Sequence, residues 1–356
     1  MKKETVVKIL QRAGLKRPLH LEPFGSGMSG SWIWKVLTKE FGWCIFKYNY
    51  NRLWLRCEDV QAGKIRDPLA GMIVPVHCSG PAFILTEYVP DTLDLARILH
   101  NGVAGERRAE MLHAVSQVLY SMRSLWLTQC FTVNAVMSLY QSTVIGKRKK
   151  PFPVGRAGKY VRQLLRKKGM YDLPVVVNGC ALGFSVAHAL KAIHMVLARP
   201  LKTGRLLHGD LRPDNILLSN DRGVRLIDPR VGETDWARDL SLLIRSENMR
   251  TLQALQAEEF AVEGGRLILR YIPTFDPLCS VIAEQCLAFG DRFAAVTDDP
   301  TWRIRASMYI ASVYMNDIRL FERRHQGGVI PRFRHIVTYL LGEALRAVAS
   351  AKEDQR

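Results

Sequence analysis

Leu207-His208-Gly209-Asp210-Leu211-Arg212-Pro213-Asp214-Asn215-Ile216-Leu217-Leu218 is the stretch on which the reading of the fold turns. It has the pattern HxDxxxxN. A short apolar run, Ile216–Leu218, a turn at Asn220-Asp221-Arg222-Gly223 and a second run, Val224–Ile227, then predict a small hairpin. Asp228 closes that hairpin 13 residues beyond Asn215. The chemistry of such a set is coherent. Asp210 can orient and deprotonate a hydroxyl, while Asn215 and Asp228 offer hard oxygen ligands to Mg²⁺ on phosphates. A capping aspartate would account for Asp210 alone, but not for four polar residues at these intervals between strand runs. Arg212, two residues past Asp210, can neutralise a transferring phosphoryl group or be a surface arginine.

Upstream, Gly25-Ser26-Gly27-Met28-Ser29-Gly30 precedes Ser31-Trp32-Ile33-Trp34-Lys35-Val36-Leu37. A dinucleotide-binding GxGxxG needs a helix immediately afterwards, and residues that favour strands stand there instead. A glycine-rich loop between antiparallel strands lets backbone approach an anion, as in folds that cover ATP phosphates; an ordinary Gly/Ser turn is the alternative. The next strand run, Trp43–Tyr48, carries Lys47, 17 residues after Gly30. A lysine there can pair with phosphates and with a helix glutamate. Glu58, within a helical pattern over 53–65, is the candidate partner. Before the loop, Val6, Ile9, Leu10 and Ala13 fit one face of a short amphipathic helix.

The catalytic-loop stretch, taken with Pro75 and Leu85-Thr86-Glu87-Tyr88-Val89-Pro90, resembles the aminoglycoside phosphotransferase and choline kinase-like family. Asp239-Leu240 resembles that family's aspartate that steadies the catalytic loop. The resemblance covers about residues 15–245, with motifs in the family's order. It implies an α+β, bilobal protein-kinase-like fold, with a small mixed β N-terminal lobe over 1–90 and a larger helical lobe over 91–356. It also implies ATP, Mg²⁺ and phosphoryl transfer to a hydroxyl. Carried over, Gly25, Ser26, Gly27 and Gly30 cover the phosphates, and Lys47 pairs with them, held by Glu58. The backbone of Glu87 and Val89 holds adenine, Asp210 is the base, and Asn215 and Asp228 hold magnesium. His208 is read as a structural residue of the loop. Asp228 is followed by Pro229-Arg230 rather than Phe-Gly, and no Ala-Pro-Glu motif follows. Both departures match small-molecule kinases better than regulated protein kinases.

Apolar residues make up 48% of the 356 and charged residues 24%, which excludes disordered, collagen-like and small disulfide-scaffold classes. Seven scattered cysteines without a CxxC pair read as reduced thiols of a cytosolic protein. The N-terminus has no signal-peptide pattern. The uncharged stretch 124–146 is too polar for an ordinary spanning helix, and 179–198 contains His188, Lys191 and His194, so no transmembrane segment is expected. From Leu93 to about Arg205 the pattern reads as helical, with a basic insertion around 124–185, and 236–350 reads as mostly helical again.

The formal charge is +18, and the middle hundred residues, 101–200, hold 15 basic against 3 acidic side chains. Lys147 to Lys168 contains ten cations and no acid. That run is either a solvated face or the contact for an anionic partner or membrane surface. No RNA- or DNA-binding motif accompanies it. The leading function is therefore an ATP-dependent O-phosphotransferase for a small hydroxylated molecule of aminoglycoside, sugar or amino-alcohol type, cytoplasmic and without a spanning segment. The alternatives are a sugar or glycolipid kinase peripheral to the inner face of a membrane, and a non-catalytic kinase-like binding protein. For a polycationic acceptor, Glu258, Glu259, Glu263, Asp276, Glu284, Asp291, Asp298 and Asp299 could build an acidic pocket, or could be ordinary solvated faces.

Overall fold

The computed structural model describes residues 1–26, 31–49, 69, 71–100, 104–131, 155–166, 168–197, 199, 204–219, 223–229, 233–245, 256–272, 277–326 and 333–354. The first elements are α1 (Lys3–Arg12), β1 (His20–Ser26), β2 (Trp32–Thr38), β3 (Gly42–Tyr48), β4 (Val76–Gly80), β5 (Phe83–Glu87) and β6 (Thr92–Asp94). Next come α2 (Leu95–His100), α3 (Ala104–Leu127), β7 (Gln129–Phe131), α4 (Gly155–Arg166), β8 (Pro174–Val177), β9 (Cys180–Ser185), α5 (Val186–Leu197) and β10 (Gly204–Leu206). The chain continues with β11 (Ile216–Ser219), β12 (Gly223–Leu226), β13 (Glu233–Thr234) and α6 (Trp236–Ile244). Four short strands, β14 (Gln256–Ala257), β15 (Ala261–Glu263), β16 (Arg266–Leu269) and β17 (Tyr271–Ile272), precede α7 (Pro277–Thr297), α8 (Trp302–Gln326) and α9 (Phe333–Glu353).

These elements form two compact units. The first comprises 1–95, 113–125 and 207–232. Its main sheet has the order β1-β2-β3-β5-β4, antiparallel throughout. Alternate side chains of a strand face opposite ways. Trp34 and Val36 of β2, Cys44 and Phe46 of β3, and Leu85 of β5 therefore share one face, which packs on Val6 and Leu10 of α1. The amphipathic spacing read from the N-terminus is the reason α1 forms there. The other face carries the odd-numbered partners Ile33, Lys35, Ile45 and Lys47. A second sheet, β12-β11-β6, joins the hairpin expected after Asn215 to the strand that follows Pro90.

The second unit comprises 96–112, 126–206 and 233–356. Its aromatic core centres on Trp236, stacked on Trp302 at 5.3 Å and edge-on to Phe293 at 4.8 Å. A methyl at Gly290 would overlap the Trp302 ring, so that helix position must stay bare. Asp235 caps α6, accepting the Ala237 N–H at 3.1 Å. The same carboxylate meets Arg305, which also bonds both oxygens of Asp299, while the Trp236 indole N–H donates to Asp299 at 2.9 Å.

The helical reading of 93–205 and 236–350 is interrupted by strands. β8 and β9 form a hairpin, and β15-β16-β8-β9 is a four-stranded sheet in which β16 and β8 run parallel. The cause is local. Val175-Val176-Val177 is a β-branched run. Asn178 and Gly179 both take positive φ, 48° and 84°, as a two-residue hairpin turn of this kind requires. On α4, Val161 and Leu165 are buried while Lys159 and Arg166, like Lys168 just beyond it, are exposed. Residues 147–154 of the basic run lie outside the described residues. Among the described residues, no helix is long and apolar enough to cross a membrane.

Candidate active site

The stretch from His208 to Asn215 folds as a tight loop within the first unit. His208 is buried and Gly209 takes φ 80°, a left-handed turn that a side chain disfavours. The Asp210 carbonyl accepts two hydrogen bonds at 2.8 Å, from the Arg212 N–H and from Asn215 Nδ2. Pro213–Asn215 is one turn of 3-10 helix, closed by the Asn215 N–H on the Arg212 carbonyl at 2.8 Å. Because Asn215 Nδ2 is committed to Asp210, its Oδ1 is the atom turned away from that carbonyl. The Asn215 carbonyl in turn receives the Ile227 N–H at 3.1 Å, which ties the far end of the hairpin to the loop. The Leu226 N–H donates to the Met72 carbonyl at 2.7 Å, so the hairpin is anchored at its second strand as well.

Asp228 is the next residue, and its backbone is left-handed at φ 54°. Aspartate tolerates this region better than most residues, but the conformation still costs energy and marks a constrained position. Lys47, 7% exposed on the sheet face opposite α1, reaches it: Nζ stands 2.9 Å from Asp228 Oδ2. Two residues 181 apart in sequence thus meet as a hydrogen-bonded ion pair. Arg212 lies 3.8 Å from Asp214, its own neighbour along the loop.

The structure therefore brings Lys47 to Asp228, and Asn215 to Asp210, through one continuous hairpin. Gly25 and Ser26 end β1, whereas Gly27, Gly30 and Glu58 lie outside the described residues. At the Glu87–Val89 segment, the Glu87 N–H donates to Pro75 at 2.9 Å and the Tyr88 N–H to Trp43 at 3.1 Å. Both N–H groups are consumed by the fold and cannot serve a bound base. The Val89 carbonyl accepts the Thr92 hydroxyl at 3.1 Å, and no protein acceptor among the described residues takes the Val89 N–H.

One pair escaped sequence reasoning. Ser31, 1% exposed just past the glycine-rich loop, receives a hydrogen bond from Asn49 Nδ2 at 2.9 Å. This pins the loop's C-terminal root to the end of the strand that carries Lys47. Nothing in the sequence marks two small polar residues 18 apart as partners. In the second unit, Asp239 accepts the Trp126 indole N–H at 3.3 Å. The acids considered for a polycation pocket are largely spoken for there: Glu258 and Glu263 meet Arg270, Glu259 meets Arg334, Asp291 meets Arg303 and Asp299 meets Arg305. Such pairing offsets much of the negative charge a polycation would meet, and Asp276 lies outside the described residues.

The donor set suits magnesium. An amide oxygen and a carboxylate are too few for a protein-only cage, and no cluster of three His, Cys, Asp or Glu side chains exists among the described residues. Magnesium, however, usually takes one or two protein oxygens and completes its shell with phosphates and water.

No family model matches the sequence, and no curated protein matches it. Solved structures do. A gentamicin complex of APH(2'')-IIa superposes with a TM-score of 0.54 at 12% identity, over 98% of both chains. The chain has the protein-kinase-like fold. A GDP and kanamycin complex of a second APH(2'') enzyme shares this kinase-like fold with a TM-score of 0.50 at 12% identity, over 100% of both chains. Choline kinase LicA from Streptococcus pneumoniae gives a TM-score of 0.48 at 12% identity, over 98% of this chain and 99% of that one. The small mixed-sheet lobe and larger helical lobe expected from the sequence are the parts of that kinase-like fold.

Proposed function

We propose that this chain is an ATP-dependent O-phosphotransferase for a small hydroxylated molecule, with residues 86–90 as the hinge between its lobes. The observation that carries the reading is the Lys47–Asp228 pair, met by a loop in which Asn215 is oriented by Asp210. In a protein-kinase-like fold these are the residue types and positions that phosphoryl transfer needs. A binding protein without activity has no use for all four together.

In the proposed reaction the acceptor hydroxyl oxygen attacks the γ-phosphorus of ATP. A phosphorus–oxygen bond forms to the acceptor, the bond to the bridging oxygen breaks, and ADP leaves. The proton passes from the hydroxyl to the Asp210 carboxylate. Lys47 steadies the nucleotide phosphates, with Glu58 as its proposed partner, and the loop from Gly25 and Ser26 through Gly27 and Gly30 covers them. Arg212 offsets charge on the moving phosphoryl group. The Glu87 carbonyl and the Val89 N–H receive the base. Asn215 and Asp228 would hold magnesium, which supplies positive charge against the phosphate oxygens.

The test is ATP turnover against a panel of aminoglycosides, sugars, choline-like alcohols and glycolipids. Activity should appear with one acceptor class, should require magnesium, and should vanish in Asp228→Ala. Equal turnover in excess chelator would remove Asn215 and Asp228 from the metal site.

The exposed cations of α4 favour a second reading, in which the acceptor is a glycolipid at the inner face of a membrane. We propose that Lys159, Arg166 and Lys168 contact anionic headgroups, since each basic residue near such a surface contributes ~1 kcal/mol. Changing all three to Gln should weaken binding to phosphatidylserine-containing vesicles and flatten its salt dependence, with folding unaffected. Salt-insensitive binding by the wild-type protein would leave α4 as a solvated face.

A further inference from the structure

Lys35 sits on the sheet face that carries Lys47, yet it plays no part in the chemistry above. Its register partners are Glu22 on β1 and Ile45 on β3. The ammonium stands 4.5 Å from the centre of the Trp43 ring and 4.2 Å from that of Tyr88, with Glu22 Oε1 at 3.5 Å. The side chain is 20% exposed, unusual for a strand lysine with a free choice of solvent. Both rings are themselves braced from β1. Phe24 meets Tyr88 edge-on at 6.1 Å, and His20 meets Trp43 edge-on at 5.6 Å.

Tyr88 is the middle residue of Glu87–Val89. Its N–H already bonds the Trp43 carbonyl, so ring and backbone are both held against the same strand. Fixing a residue at its side chain and its amide leaves the peptide planes on either side little freedom, because each plane is rigid. The two planes flanking Tyr88 end in the Glu87 carbonyl and the Val89 N–H.

We propose that Lys35 is a positioning residue for nucleotide binding: sandwiched between Trp43 and Tyr88, it holds the Glu87–Val89 backbone ready for the base. This role rests on the phosphotransferase reading. A cation between two ring faces is attracted to both, and more strongly as water is excluded. Ordering the segment beforehand spares that cost when nucleotide arrives.

Two substitutions separate charge from packing. Lys35→Met keeps an unbranched apolar stem and removes the cation, whereas Lys35→Arg keeps a cation that stacks well on aromatic faces. In the full-length protein without nucleotide, Lys35→Met should speed amide hydrogen exchange over residues 86–92, on the order of tenfold. It should raise the KM for ATP about three- to thirtyfold with kcat unchanged, because only a fraction of molecules then holds the competent backbone. Lys35→Arg should restore both. Trp43→Leu, which removes one wall, should reproduce both shifts. Unchanged exchange in Lys35→Met overturns the clamp itself, and faster exchange with unchanged KM overturns its role toward nucleotide. If the wild-type protein binds no ATP, the phosphotransferase reading falls first and the positioning role falls with it.

Discussion

Asp210→Asn should bind ATP as the wild-type protein does and transfer phosphate roughly 10²- to 10⁴-fold more slowly, the usual contribution of a positioned general base. The expectation follows from how the loop is built. The Asp210 carbonyl, not its side chain, holds Arg212 and Asn215 at 2.8 Å, so changing the carboxylate to an amide leaves those bonds intact. The nucleotide contacts proposed for Lys47 and the Glu87–Val89 backbone lie on other elements. The loss should thus fall on kcat, with KM for ATP nearly constant, as expected of an interaction made only in the transition state. Near wild-type turnover on the true acceptor would strip Asp210 of its role. A raised KM with intact kcat would instead assign it to acceptor binding.

Arg305→Met should destabilise the helical unit strongly, costing ~3–5 kcal/mol in urea unfolding, because it leaves buried carboxylates without their counter-charge. Asp235 is 1% exposed at its side chain, and Arg305 bonds it through Nε at 2.6 Å and Nη2 at 3.1 Å. Burial works against the guanidinium charge, but Asp235 and Asp299 outweigh it and keep Arg305 protonated. Adding Asp235→Asn and Asp299→Asn to Arg305→Met should recover much of the loss, since no unpaired charge then remains. Failure to recover would mean that packing, not charge, sets the cost.

The same cluster sets an acid limit. Burial alone would raise the pKa of Asp299, yet hydrogen bonds from Arg305 and Trp236 together with the Arg305 charge bring it below the ordinary carboxylate value. A carboxylate with a lowered folded pKa stabilises the fold above its unfolded pKa, near 4. It withdraws that support as pH falls through the lowered value. Stability should therefore drop below about pH 4, and Asp299→Asn should flatten that part of the curve while lowering stability at neutral pH. An unchanged acid profile in the variant would sink the assignment.

What could be read in advance was whatever rests on neighbours in sequence. The HxDxxxxN spacing, the hairpin after Asn215 and the strand-favouring runs Ser31–Leu37 and Trp43–Tyr48 are local, and each specified its element. The β8–β9 hairpin is local too, yet it stands where a helical pattern is expected. Its Val-rich run and Asn178-Gly179 pair are a strong turn signal, lost because the surrounding residues read as helix. Other features had no local signal at all. Lys35 between two rings, Asn49 on Ser31, and Arg305 between two aspartates are meetings between distant stretches, and periodicity does not encode them. The pairing of the acidic residues with arginines is of the same kind. Charge along the chain leaves Glu258, Glu263 and Asp291 as either an acidic pocket or solvated faces, whereas folding brings each to an arginine.

The short strand β6 has a mechanical meaning. Thr92, Leu93 and Asp94 pair in register with Ser219, Leu218 and Leu217, and β11 springs directly from Asn215. Only two residues separate Val89 from that ladder. The segment proposed to receive the base is therefore bolted to the plate that bears Asn215, and cannot swivel freely at 92–94. It acts as a lever: a bulky base analogue that pries Glu87–Val89 outward should strain Asn215 and Asp228 too, and so inhibit by misaligning phosphates it never touches.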